Sequence, residues 1–317
     1  MAALPGKTAL VTGANTGLGK ATALQLCQQG AHVIIACRSV DKANAVLPEF
    51  DGLDGTVEVL KLDLSDVASI EDFCKGLKRA HKKLDIVVCN AGLNLGGSYS
   101  GPRVTAQGYD IVMGTNYLGH LLLIDRLLPE LRKSGDARIV MTSSATIWLA
   151  SVKYHNYIEG PSRTNGNYAA SKHAMATMGF YLHKRFLAHG DKIAVTCVDP
   201  GFVNSDIWRN TPLFATIANI LALSPAKAAE AMVAAATEAK YDGLYLYPFN
   251  FKVSSWLARA PSATMSIVYP LLSKICFGLS VDKAEKRCYK EEVQTGLRDL
   301  TKERLTKHGF AIPLLDL

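Results

Sequence analysis

Short apolar runs rich in β-branched residues punctuate the first part of the chain: Thr8–Val11, His32–Ala36, Val57–Leu60, Ile86–Cys89, Arg138–Thr142 and Ile193–Val198. Runs this short and this continuously apolar read as strands buried on both faces. Longer segments with helical periodicity separate them, at Gly19–Gln29, Val67–Arg79, Tyr109–Ser134 and Tyr168–His189. Strand–helix alternation predicts an α/β fold, a doubly wound parallel sheet with helices on both faces. A seventh strand is expected at Gly243–Tyr247. The pattern predicts one domain over residues 1–250 and a C-terminal extension over 251–317, apolar at first and then a charged helix at Lys290–His308 that is expected to be solvated.

Two segments break the alternation. Ser151–Asn167 is polar and rich in Gly, Pro and Asn, and reads as either a plain surface loop or a substrate-facing one. After Ser205 come the apolar stretches Phe214–Leu223 and Pro261–Val281, interrupted or bounded by Pro225, Pro270 and Lys274. Neither reaches the uninterrupted apolar length of a membrane span.

The chain has 317 residues, 49% of them apolar, which suits a sizeable core. A net charge of +7 favours anionic cofactors or lipid surfaces. Basic runs interleaved with aromatics are missing, so no nucleic acid partner is expected. The seven cysteines form no C-x-x-C pair, and Cys37, Cys89 and Cys197 fall in or beside strand-like runs. Buried free thiols follow, and with them a reducing, cytoplasmic setting or the cytosolic face of a membrane. The sequence enters its first strand almost at once, so neither a secretory signal nor a leading membrane anchor is expected. His120, His155, His173 and His183 lack metal-ligand spacing, so no metal is expected.

Chemistry concentrates in two motifs. Thr12-Gly13-Ala14-Asn15-Thr16-Gly17-Leu18-Gly19 follows a strand and opens a helix, where glycines let backbone N–H groups approach a pyrophosphate. Tyr168 and Lys172 stand four apart on a helix and so share a face. An ammonium there is expected to pull the phenol down from its usual value of about 10. The second strand ends at Cys37-Arg38 where an NAD-preferring site carries a carboxylate. Arg38 instead suits a 2′-phosphate, which predicts NADP(H).

With Asn90-Ala91-Gly92, Asn116 and the Ser143-Ser144 pair between these motifs, the chain resembles the short-chain dehydrogenase/reductase family over Lys7–Ser205. The resemblance implies a Rossmann fold, hydride transfer, and a catalytic set of Asn116, Ser144, Tyr168 and Lys172. In this set Tyr168 exchanges a proton with the substrate oxygen. Lys172 tunes the phenol and donates to the nicotinamide ribose. Ser144 holds the substrate oxygen, and is preferred to Ser143 because the second serine of such pairs faces the site. Asn116 completes the set through a water linked to Lys172.

For the cofactor, the resemblance implies Gly13, Asn15, Thr16, Gly17, Leu18 and Gly19 around the phosphates and Asp63 with Leu64 at the adenine. Asn90, Ala91 and Gly92 lie beside the ribose. Pro200, Gly201, Val203 and Ser205 lie around the nicotinamide. A cap for the following helix is a second role for Asp63.

Ala36-Cys37-Arg38, Thr105–Tyr109, Thr115–His120 and Leu127–Leu131 narrow the resemblance to the retinol dehydrogenase and protochlorophyllide reductase branch. Protochlorophyllide reductases carry a cysteine shortly after the catalytic lysine, and this chain reads Lys172-His173-Ala174-Met175. The implied substrate is a lipophilic alcohol or carbonyl compound of retinoid, steroid or aldehyde type. The apolar region after Ser205 then walls the pocket or contacts a membrane peripherally through Trp208, Phe214, Trp256 and Phe277. A homodimer through Tyr109–Ser134 and Tyr168–His189 is implied by the family, although the long carboxyl end leaves the assembly open. The alternative is a non-catalytic NADP(H)-sensing or membrane-associated scaffold, against which the complete set of four residues argues.

Overall fold

The computed structural model describes residues 3–95, 99–161, 166–204, 207, 222–249 and 277–317. Eight strands form one sheet: β1 (Thr8–Thr12), β2 (His32–Cys37), β3 (Thr56–Lys61), β4 (Ile86–Cys89), β5 (Ala137–Thr142), β6 (Ile193–Val198), β7 (Tyr245–Phe249) and β8 (Phe277–Asp282). Their order is β3-β2-β1-β4-β5-β6-β7-β8. Parallel pairing runs from β3 through β7, and β8 lies antiparallel on β7. The doubly wound α/β sheet expected from the sequence is therefore present.

Among the described residues the helices are α1 (Gly17–Gln28), α2 (Val40–Asn44), α3 (Val67–Ala80), α4 (Ile111–Met113), α5 (Gly119–Ser134), α6 (His155–Ile158), α7 (Gly166–His189), α8 (Pro225–Thr237) and α9 (Glu291–Lys307). Strand alternation divides the core. Leu10, Ile34 and Val87 pack with α3, α5 and α7, whereas Val11, Val33 and Ile35 pack with α1 and α8. The edge strand β3 lacks fully buried positions, because one side of it has no neighbour.

The expected helix over Tyr109–Ser134 is not continuous. Tyr109 pairs with Glu159 in an isolated β-bridge, and Asp110 caps α4 by accepting from the N–H groups of Val112 and Met113 at 3.0 and 2.9 Å. A π-helical turn, Gly114–Leu118, then joins α4 to α5. Such widened turns gather at functional sites, and this one carries Asn116. A Cβ on Gly119 would lie 2.2 Å from the Leu64 carbonyl oxygen, so glycine alone lets α5 meet the loop after β3 this closely.

The charged tail also departs from expectation. α9 is not merely solvated: Gln294, Leu297, Thr301 and Leu305 are buried, on a stripe that packs against α7. Thr301 hydrogen-bonds the Tyr117 hydroxyl at 2.8 Å, and the Tyr109 hydroxyl donates to the Arg304 carbonyl at 2.8 Å. Farther on, Leu314 N–H donates to Asp125 on α5 at 2.7 Å. No described helix is long and apolar enough to cross a membrane.

Candidate active site

The site forms where β1, β2, β4, β5 and β6 end. Gly13 and Gly17 take φ of +67° and +54°, in the left-handed region that favours glycine. A Cβ on Gly19 would stand 2.4 Å from Asn90 Nδ2 and 2.6 Å from Gly13 O. The loop therefore packs directly on the end of β4, and the N-terminus of α1 faces the cleft.

Thr12 binds the strand ends together. Its Oγ1 accepts from the N–H groups of Asn90 and Ala91 at 3.0 and 2.9 Å, while Asn90 Nδ2 donates to Thr12 O at 2.8 Å. His120 Nε2 lies 2.9 Å from the same hydroxyl, and its Nδ1 lies 3.0 Å from the Asn116 carbonyl. A carbonyl only accepts, so the ring proton sits on Nδ1 and the Thr12 hydroxyl donates to Nε2. Burial pushes His120 down to about 4; the Asn116 bond opposes this and the Lys172 charge adds to it. The ring is thus neutral, and it links the phosphate loop to Asn116.

Asn116 is fully buried behind the cleft rather than on its wall. Its Oδ1 accepts from Leu93 N–H at 2.9 Å, and its Nδ2 donates to Leu93 O at 3.1 Å and Ser171 Oγ at 3.0 Å. A Cβ on Gly92 would lie 3.4 Å from Asn116 Oδ1 and 3.5 Å from Lys172 Nζ. Asn116 therefore fixes the chain after β4 against α7, one position before Lys172.

On α7, Lys172 Nζ donates to the Thr142 carbonyl at 3.0 Å and lies 5.8 Å from the Tyr168 ring centroid. Tyr168 hydrogen-bonds the Ser144 side chain. Ser143 instead turns inward, its Oγ donating to the Lys172 carbonyl at 3.3 Å. The expected downward pull of Lys172 on the phenol is overturned. Burial pushes Tyr168 up; the Ser144 bond opposes this and the Asp199 carboxylate adds to it. Burial also brings Lys172 down to about 8 against the pull of Asp199.

These groups line one cavity of about 920 Å³, at the upper end of the range for cofactor sites. Gly13, Asn15, Thr16, Gly17, Leu18, Gly19, Arg38, Asp63, Leu64, Asn90, Ala91, Gly92, Ser144, Tyr168, Lys172, Pro200, Gly201 and Val203 all border it. Asp63 turns back on its own loop, accepting from Ser65 N–H at 2.9 Å and Ser65 Oγ at 2.6 Å. The cap of α3 is Asp66, not Asp63, and it accepts from Ala68 N–H at 3.0 Å. Gly201 has φ of +85° and donates to Asp199 at 3.0 Å. The Thr115 and Thr142 hydroxyls on the cavity wall are buried and have no partner among the described residues. A glycine-lined phosphate cradle, an arginine at the end of β2 and two unsatisfied hydroxyls fit a dinucleotide.

Ser205, Trp208, Phe214 and Trp256 lie outside the described residues, as does the Phe277 side chain. The sequence reading missed three members of the site: Thr12 as the hub of the strand ends, His120, and Asp199. Asp199 is a buried carboxylate that faces both Tyr168 and Lys172. Its signal was its place directly before Pro200-Gly201.

Residues 7–214 match the short chain dehydrogenase family. Retinol dehydrogenase 11 of Homo sapiens is 39% identical over 210 residues, which cover 66% of this chain and 64% of that protein. Polyprenol dehydrogenase of Homo sapiens is 34% identical over 213 residues, 65% of this chain and 63% of that one. The chain thus spans less than two-thirds of the length of either relative. Among solved structures, the Pseudomonas aeruginosa RhlG/NADP active-site complex superposes with a TM-score of 0.62 at 27% identity, covering 77% of this chain and 95% of that one. By its fold, the arrangement of its cleft and these matches, the chain belongs to the short-chain dehydrogenase family, on its retinol dehydrogenase-like branch.

Proposed function

We propose that the protein transfers a hydride between NADP(H) and a lipophilic alcohol or carbonyl compound. The observation that carries this reading is the convergence of Ser144, Tyr168 and Lys172 on one wall of the cavity that the glycine loop opens. A bound nicotinamide supplies or accepts the hydride. The chain's residues handle charge and protons. As a carbonyl carbon is reduced, negative charge grows on its oxygen, and the neutral Tyr168 phenol donates the proton that quenches it. Burial holds the phenol protonated at neutral pH, which suits this direction. In the reverse direction the same oxygen takes the alcohol proton. Ser144 holds the substrate oxygen beside the phenol, and Lys172 binds ribose hydroxyls. Asn116 keeps the chain at Leu93 and α7 in register.

NADP(H) is favoured because Arg38 is exposed on the cavity wall and the end of β2 presents Cys37 and Arg38 rather than a carboxylate. Leu93, Pro102, Val104, Ala106 and Ile111 also line the cavity, apolar residues suited to an apolar substrate. The names of the human relatives, a retinol and a polyprenol dehydrogenase, support the same class.

The test follows NADPH oxidation and NADP reduction across a panel of apolar aldehydes, ketones and alcohols. Tyr168→Phe is expected to lose at least a thousandfold in kcat while still binding NADPH. Near-native turnover in that variant would discard the mechanism, and a silent panel with tight NADPH binding would favour a cofactor-sensing scaffold.

A further inference from the structure

Three side chains meet at the end of the sheet opposite the cavity. His32 opens β2, Glu58 lies in β3, and His81 is the residue after α3. Parallel register sets His32 opposite Thr56 and Ile34 opposite Glu58. Alternation then puts His32, Thr56 and Glu58 on the face that α3 covers, where the helix end delivers His81. Both Nε2 atoms address one carboxylate oxygen: Glu58 Oε1 lies 3.3 Å from His32 Nε2 and 2.6 Å from His81 Nε2. All three candidate ligand atoms fall within 4.8 Å of one another. His32 Nδ1 is held by Thr56 Oγ1 at 2.6 Å, the kind of outer partner that orients ligating imidazoles.

We propose that His32, Glu58 and His81 form a binding site for zinc or a similar transition-metal dication, which fastens the edge strand of the sheet. Two imidazole nitrogens and one carboxylate oxygen suit zinc, nickel or copper, whereas magnesium and calcium take oxygen donors. Tetrahedral zinc holds neighbouring N and O donors about 3.3 Å apart. The His32–Glu58 pair already has that spacing, and the closer His81–Glu58 pair reaches it if the carboxylate moves by less than about 1 Å. The side chains are 31%, 32% and 16% exposed for His32, Glu58 and His81, so a metal has access and waters can complete its shell. Among the described ion pairs Glu58 has no lysine or arginine partner.

A second cluster, His173, Glu285 and Cys288, is fully buried, and its carboxylate is already bound by Arg287. A cation entering there has to displace a guanidinium. The outer set faces no such competitor. It also has a mechanical consequence, since β3 is the sheet edge and a shared metal would tie it to β2 and to the end of α3.

Calorimetric titration of the tag-free protein with ZnCl2 tests the site, with MgCl2 as control. One zinc per chain is expected, with no heat from magnesium and slower hydrogen exchange of the β3 amides. His32→Ala, His81→Ala and Glu58→Gln should each weaken zinc binding at least tenfold, and Thr56→Val about tenfold. These positions are surface-accessible and outside the cavity, so NADPH binding serves as the check of folding. Should an alanine variant fail that check, the near-isosteric Glu58→Gln decides. Absence of zinc binding, equal affinity in all variants that fold, or loss of the site in Cys288→Ala with retention in His81→Ala would each overturn the proposal.

Discussion

Removing the His120 imidazole should flatten the acid sensitivity of the fold. The ring is fully buried, and burial brings it from 6.5 to about 4. Between those values the unfolded chain binds the proton and the folded chain refuses it. Stability therefore rises with pH across that window, is fully present above 6.5, and is lost as pH falls toward 4. At 1.36 kcal/mol per unit, the whole shift is worth roughly 3 kcal/mol, and about 2 kcal/mol of it falls between pH 7 and pH 5.

Other groups titrate over the same range, so the informative quantity is a difference between proteins. Urea unfolding of wild type and His120→Gln is measured at pH 7 and pH 5. The variant loses stability at pH 7, because Thr12 and Asn116 lose their partner. Its further loss on moving to pH 5 should be smaller than that of wild type by about 2 kcal/mol. Equal pH dependence in the two proteins would refute the buried neutral ring, and with it the path from Thr12 to Asn116.

Two further outcomes follow from the cavity and the tail. Arg38→Asp should weaken NADPH by at least tenfold relative to NADH, read by fluorescence titration of both; unchanged discrimination would remove Arg38 from the site. Because α9 and the segment after it lie over α7 and α5, and β8 covers β7, light scattering should find a monomer; a stable dimer at micromolar concentration would show that another face assembles.

Strands β1, β2, β4, β5 and β6 were legible because each is short, apolar and buried on both faces, so composition and position agree, whereas β8, at the end of an apolar stretch, was not anticipated. The glycine loop and the Tyr168–Lys172 spacing were legible because each is local, readable from within one turn or one loop. His120 was not. Its role arises from a partner 108 positions away, and nothing in its helix indicates that Thr12 will be there. His32, Glu58 and His81 share that character, since strand register rather than sequence spacing brings them together. The π turn around Asn116 hid because its residues keep an apolar helical pattern while the backbone widens. α9 was misread because two of its four buried positions, Gln294 and Thr301, are polar, which leaves only Leu297 and Leu305 to signal the inward face.

That inward face depends on a buried polar contact as well as on packing. Glu285 Oε2 accepts from His173 Nε2 at 3.0 Å and from Arg287 N–H and Nε at 3.0 and 2.8 Å, while His173 Nδ1 meets the Tyr154 hydroxyl at 2.6 Å. One carboxylate thus joins the C-terminal segment, through the residue next to Lys172, to the loop that follows β5. Glu285→Ala leaves a buried imidazole and a guanidinium without their acceptor, at a cost of about 3 kcal/mol. Burial raises the Glu285 carboxyl, but the His173 and Arg287 bonds together hold it below 4.5. Its contribution is present above 4.5 and is lost as pH falls through the folded value. The variant should therefore unfold earlier in urea at pH 7 and lose turnover in parallel, because α7 carries both His173 and the proposed catalytic pair Tyr168 and Lys172. Full activity together with a stability change below about 0.5 kcal/mol would show that apolar packing alone docks the segment.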